Sequence, residues 1–163
     1  MDLGSDKKKI AIFGGGRWAR VLLKILLENT NSSYTFTVHT KYLDNILSWA
    51  SDNNFSSRLI VSNKDPVLAD GSYKAAIVAN SARSHKKKTI MALNAKIPVL
   101  VEKPMTLSFE DTQMLINLSK KNETELCSSL VFLYTSYLDN FSHLFGKKNK
   151  VKNIEILWAD PVN

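Results

Sequence analysis

Along most of the 163-residue chain, short apolar runs ended by glycine or polar turns alternate with segments whose apolar residues recur every three to four positions. Ile10-Ala11-Ile12-Phe13 gives way to Gly14-Gly15-Gly16 and resumes as Val21-Leu22-Leu23-Lys24-Ile25-Leu26-Leu27. That order predicts a buried strand, a tight turn and a helix with a broad apolar face. A polar turn at 28–33 leads into Tyr34-Thr35-Phe36-Thr37-Val38-His39, whose β-branched and aromatic content predicts a second strand. Strand, helix and strand within about 30 residues make one right-handed βαβ unit. The spacing of Leu43, Ile46, Leu47 and Ala50 predicts a helix over 43–53. Residues 58–62 then predict a third strand, and 65–69 a single helical turn with Pro66 at its first position.

The second half repeats the alternation. Residues 74–79 predict a strand buried on both faces, 83–93 a helix, and 97–101 a fifth strand in which Pro98 is tolerated because it lies near the beginning. Ser108 is placed to cap a further helix, with Glu110 and Asp111 in its first turn, Met114, Leu115 and Leu118 facing inward, and an end by Asn122. Residues 126–133 predict a sixth strand. The whole reads as an α/β fold, a doubly wound parallel sheet covered on both faces. Beyond it, 134–145 predict a helix and 154–158 a half-buried strand with Ile154, Ile156 and Trp158 on one side. Such a lone strand is expected to pair with another chain, fold back, or belong to a second domain.

Composition narrows the function classes. A hydrophobic content of 44% is enough for a core, and no apolar run approaches the roughly 20 residues that span a bilayer. The expectation is a soluble, cytoplasmic protein with no membrane partner. Cys127 is the only cysteine, which excludes an intrachain disulfide and predicts a small buried side chain beside a strand. Lys and Arg outnumber Asp and Glu by 22 to 15, a net charge of +7 that attracts polyanions. The basic residues fall in short scattered groups at 7–9, 86–88 and 147–150 with no recognition motif, so they read as solvated surface and no nucleic acid is expected.

Two motifs carry candidate chemistry. Gly14, Gly16 and Ala19 have the G-x-G-x-x-A spacing: Gly14 for the sharp turn, Gly16 for backbone approach to a diphosphate, Ala19 for close packing of helix on strand. Backbone amides at the helix start would face the anion with the dipole behind them. Arg17 is placed to meet phosphate or to be solvated in the first turn, and Trp18 to pack over the loop. The second motif is Val99-Leu100-Val101-Glu102-Lys103-Pro104. It sets a lysine at the end of a parallel strand, where open α/β sheets hold ligands, and Pro104 keeps helical geometry away from Lys103.

With these motifs the chain resembles the Gfo/Idh/MocA family, NAD(P)-dependent enzymes of the glucose-fructose oxidoreductase and inositol dehydrogenase type. The resemblance covers about residues 8–160. It rests on Gly14 to Ala19, on Ala76-Ile77-Val78-Ala79 with His85 beyond, on Val101-Glu102-Lys103-Pro104-Met105-Thr106-Leu107-Ser108, and on the late strand at 154–158. It implies a Rossmann fold over 1–125, with 126–163 giving the last Rossmann strand and the start of the family's second, α+β domain. It also implies that Lys103 is the acid/base beside nicotinamide and substrate, with Glu102 and Pro104 shaping the pocket wall. For that work an amine with an ordinary pKa of about 10.4 must come down toward about 7 to 8. Asn80 and Ser81 stand where the family commonly has Thr-Pro-Asn, and still offer polar contacts to nicotinamide or ribose. His85 matches a family histidine often near the cofactor, or else an exposed helix position beside Lys86. Tyr134 and Ser136 replace a common Asn and Arg.

Cofactor preference follows from the end of the second strand, where an acid accepts both ribose hydroxyls of NAD and repels a 2′-phosphate. The resemblance aligns Thr40 with that acid and Lys41 with a phosphate-binding arginine, so NADP(H) is expected, with NAD second. The expected function is hydride transfer between NADP(H) and a sugar, polyol or similar small substrate by a longer enzyme, this chain alone being inactive for want of the second domain. The alternative is a non-catalytic NADP(H) sensor or scaffold, joined to other copies or partners through its late strand. A third possibility is a glycine-loop protein of the same fold that binds another nucleotide.

Overall fold

In the computed structural model, which describes residues 8–134 together with Ser136 and Glu155, the first apolar run forms β1 (Lys8–Phe13) at the heart of a six-stranded sheet. The chain then gives α1 (Arg17–Asn29), β2 (Tyr34–His39), α2 (Leu43–Asp52), β3 (Leu59–Ser62), β4 (Tyr73–Val78), α3 (Ala82–Asn94), β5 (Val99–Glu102), α4 (Phe109–Lys121) and β6 (Leu126–Ser129). Strand order is β3-β2-β1-β4-β5-β6 and every pairing is parallel. The order reverses between β1 and β4, which pair with Phe13 opposite Val78.

Alternation along the strands divides the core. Ala11 and Phe13 of β1 join Ala76, Val78, Val99 and Val101 against Leu93 of α3 and Leu115 of α4. Ile12 faces the other way, with Phe36 and Val38, onto Ala19, Leu23 and Leu27 of α1 and Ile46 of α2. Both faces of the sheet are covered, which is why its strands read as nearly continuous apolar runs. Each fully buried Leu, Ile or Phe contributes on the order of 1.5–3 kcal/mol. At the far end of α1, Arg58 donates from Nη1 to the carbonyls of Leu27 (2.7 Å) and Thr30 (2.9 Å). It thereby supplies the cation that the last turn of that helix lacks.

Three sequence expectations need correction. The sixth strand stops at Ser129 rather than 133, because its register against β5 ends with Glu102 opposite Ser129 and the partner turns away at Lys103. Cys127 is exposed. It lies on the outermost strand and points away from the face on which its neighbour Leu126 meets the α3/α4 core. The helical turn expected at 65–69 is a 3-10 turn at Leu68–Asp70, anchored by the buried Leu68 and closed by Gly71 at φ 74°.

The chain divides into two units at Ser129/Leu130. In the second, Val131–Tyr134 forms a 3-10 turn. The helix expected at 134–145 and the strand at 154–158 lie outside the described residues. Among the described residues no helix is long and apolar enough to cross a membrane.

Candidate nucleotide site

Where β1 and β4 part, the C-terminal ends of the strands open onto a cavity of about 800 Å³. Such a switch point is where doubly wound sheets place their ligands. Gly14 continues the sheet for one more bond, its N–H donating to His39 O at 3.0 Å, and takes φ 128°. A Cβ there would lie 2.6 Å from the Ala79 carbonyl oxygen. A Cβ on Gly15 would lie 2.8 Å from Thr40 Oγ1. Gly16 faces open space, and a Cβ on it would meet nothing within 4 Å. The first two glycines therefore let three strand ends converge, and the third leaves room for a ligand beside the backbone.

Three helices begin at this cavity. Gly16 before α1 and Arg17 at its start, Tyr42 before α2, and Ser81 before α3 all line it, and none of the three helices has a side-chain cap. By contrast α4, whose start does not line the cavity, is capped by Ser108 Oγ accepting from Asp111 N–H at 3.1 Å. Uncapped first-turn amides and three positive dipole ends favour an anion. Asn80 Oδ1, at the same wall, is buried with no hydrogen-bond partner among the described residues, an acceptor waiting for a donor. Amides for a diphosphate, space at Gly16 and a bare acceptor fit a dinucleotide.

The structure brings together Gly14, Gly16, Arg17, Trp18, Thr40, Lys41, Asn80 and Ser81 on this wall. Trp18 is 44% exposed and lines the cavity. Ala19 is fully buried below, packed with the core under α1. Thr40 Oγ1 accepts from Tyr42 N–H at 3.2 Å, and Lys41 Nζ lies 5.7 Å from the Tyr42 ring.

Sequence reasoning missed Tyr42, Asn63, Asp65, Ser84 and Lys88, all of which line the cavity. Ser81, Ser84 and Lys88 recur at helical spacing, a signal obscured because 86–88 reads as a surface charge run. In fact Lys86 pairs with Asp111 at 2.6 Å and Lys88 pairs with Asp65. Lys88 Nζ also lies 5.4 Å from the Phe13 ring centroid. His39 ends β2 with Nδ1 2.8 Å from Lys64 O, which can only accept, so that nitrogen carries the proton. Nε2 lies 3.0 Å from Thr37 Oγ1. Burial holds His39 below the ordinary histidine range, with the Lys64 carbonyl and the Asp65 carboxylate opposing.

The remaining predicted residues form a second cluster one strand over, and none of them lines the cavity. His85 is 1% exposed, which removes the reading of an exposed helix position. Its Nδ1 lies 2.8 Å from Pro104 O and its Nε2 3.1 Å from Asn80 O, so it ties the end of β4 to the turn after β5. Glu102 is buried, with one carboxylate oxygen accepting from Lys103 N–H at 3.2 Å and the other unpartnered among the described residues. Lys103 and Pro104 are exposed and joined by a cis peptide bond.

Comparison with known proteins agrees with this geometry. GenD2 from gentamicin A biosynthesis, solved in complex with NAD, superposes with a TM-score of 0.73 at 22% identity, covering 86% of this chain and 39% of that one. Biliverdin reductase from Synechocystis sp. PCC 6803, in complex with biliverdin and NADP+, gives 0.71 at 16% identity over 87% of this chain and 44% of that one. A probable dehydrogenase from Thermotoga maritima gives 0.67 at 20% identity over 83% and 39%. At these identities the likeness shows the fold, and the chain spans less than half the length of each structure. No curated protein sequence matches significantly. The model of the Gfo/Idh/MocA oxidoreductase family, NAD-binding Rossmann fold, matches residues 8–129, and the chain belongs to that family.

Proposed function

We propose that the cavity binds NADP(H) in preference to NAD(H), and that the chain is the coenzyme-binding part of an oxidoreductase acting on a sugar, polyol or similar small alcohol or carbonyl substrate. The observation that carries the preference is the end of β2. Thr40 and Lys41 line the cavity there, where an acid would accept ribose hydroxyls and repel a 2′-phosphate. Arg17 and the amides opening α1 would hold the diphosphate, and Asn80 and Ser81 would meet the nicotinamide half. When bound, the nicotinamide supplies the hydride acceptor or donor.

In this reading Lys103, at the end of β5, gives or takes the proton on the substrate oxygen. Glu102 and Pro104 set its position. Orienting the substrate over the nicotinamide is worth about 7 to 11 kcal/mol of a barrier, so most of the rate depends on whatever holds the substrate in place. Titration of the chain with NADPH and NADH, followed by tryptophan fluorescence, tests the coenzyme reading. NADPH is expected to bind about tenfold tighter, as one desolvated ion pair to phosphate provides about 1.4 kcal/mol or more. Tighter NADH binding would refute the roles given to Thr40 and Lys41.

A further inference from the structure

Among the described residues, the charges on the cavity wall are three cations, Arg17, Lys41 and Lys88, and one carboxylate, Asp65. Asp65 comes from the loop after β3 and takes no part in the G-x-G-x-x-A motif. It nevertheless stands beside the adenosine end: Lys64, its neighbour, receives the His39 Nδ1–H, and His39 directly precedes Thr40. A carboxylate here would do from a different strand what the missing acid at position 40 does elsewhere. It would accept ribose hydroxyls and repel a 2′-phosphate.

Lys88 prevents this. It reaches across from α3 to pair with Asp65, its side chain only 16% exposed while that of Asp65 is 45% exposed. Its ammonium is held over the Phe13 ring at 5.4 Å, an apolar and π-rich seat that fixes where the charge sits. We propose that the Lys88–Asp65 pair is a specificity determinant of the cavity: Lys88 neutralises the acid on the wall and so permits a 2′-phosphate at Thr40 and Lys41. The proposal rests on the reading that the cavity takes NADP(H). Lys88 is thus a positioning and charge-setting residue that acts through Asp65.

The test is the ratio of NADPH to NADH affinity in the 163-residue chain and its variants, measured by calorimetry at low and moderate salt. Lys88→Met leaves Asp65 uncompensated and is expected to lower the NADPH/NADH affinity ratio about tenfold, the scale of one partly screened charge against a phosphate. Asp65→Asn is expected to raise the ratio, because Lys88 is then an uncompensated cation. The double variant Lys88→Met/Asp65→Asn is expected to return the ratio to within about twofold of the parent, since the two effects operate through one pair. Lys88→Arg keeps the charge and should keep the ratio.

Equal loss of both nucleotides in Lys88→Met, or a ratio that stays shifted in the double variant, would overturn the proposal. Should Lys88→Met not fold, Asp65→Asn decides alone, and an unchanged ratio overturns it. The functional reading fails separately, on the parent chain: a parent that prefers NADH refutes that reading whatever the variants do, and one that binds neither nucleotide refutes both.

Discussion

A methyl group at position 14 would meet the Ala79 carbonyl, and the same group at position 16 would meet nothing. Gly14→Ala is therefore expected to destabilise the fold by about 2 kcal/mol or more, combining a positive φ with a backbone clash. Gly16→Ala should change stability by less than about 0.5 kcal/mol yet weaken coenzyme binding about tenfold, by filling the space a diphosphate needs. Urea denaturation and nucleotide titration of the two variants separate these effects. At His39 burial weakens proton binding in the folded chain, so the unfolded chain takes up the extra proton as acid is added. Its contribution to stability is fully present above about pH 6.5 and is lost as the pH falls through the lower folded value. Denaturation midpoints at pH 7.5 and 5.5 should diverge, and His39→Gln should narrow the gap. The glycine spacing was legible in the sequence because each position answers a backbone constraint. The Asp65–Lys88 pair was not, since it joins a loop to a helix 23 residues away and nothing local marks it.

Between elements, what the chain announced was periodicity. All six strands and all four α-helices of the described residues were predicted from it together with residue type and capping, several to within a residue, because a sheet covered on both faces leaves uninterrupted apolar runs. Ends set by a partner were harder to read. The apolar stretch after β6 continues past Ser129, but pairing ends where β5 turns, and only the register reveals that. His85 shows the same limit. A histidine beside three lysines left two readings open, near the cofactor or exposed on the helix, and it is buried between two carbonyls from separate turns. His85→Leu is expected to cost about 1 to 3 kcal/mol in chemical denaturation, because it removes the ring donor that two partly buried carbonyls face. Loss of less than about 0.5 kcal/mol would mean that water replaces the ring.

At the scale of the whole molecule, every described residue on the cavity wall falls between positions 14 and 88, on the last residue of β2 and on the loops and helices that follow β1, β2, β3 and β4. Glu102, Lys103 and Pro104 lie beyond, across β4 from the glycine turn. The His85 ring, held between Asn80 and Pro104, sets a ring nitrogen against a carbonyl on each side of that divide. In the proposed reading, two jobs fall to different stretches of one sheet: gripping a coenzyme, and presenting the Lys103 amine. Injury confined to the outer pair of strands would then yield a decoy, a protein that goes on withdrawing nucleotide from its surroundings while giving nothing back.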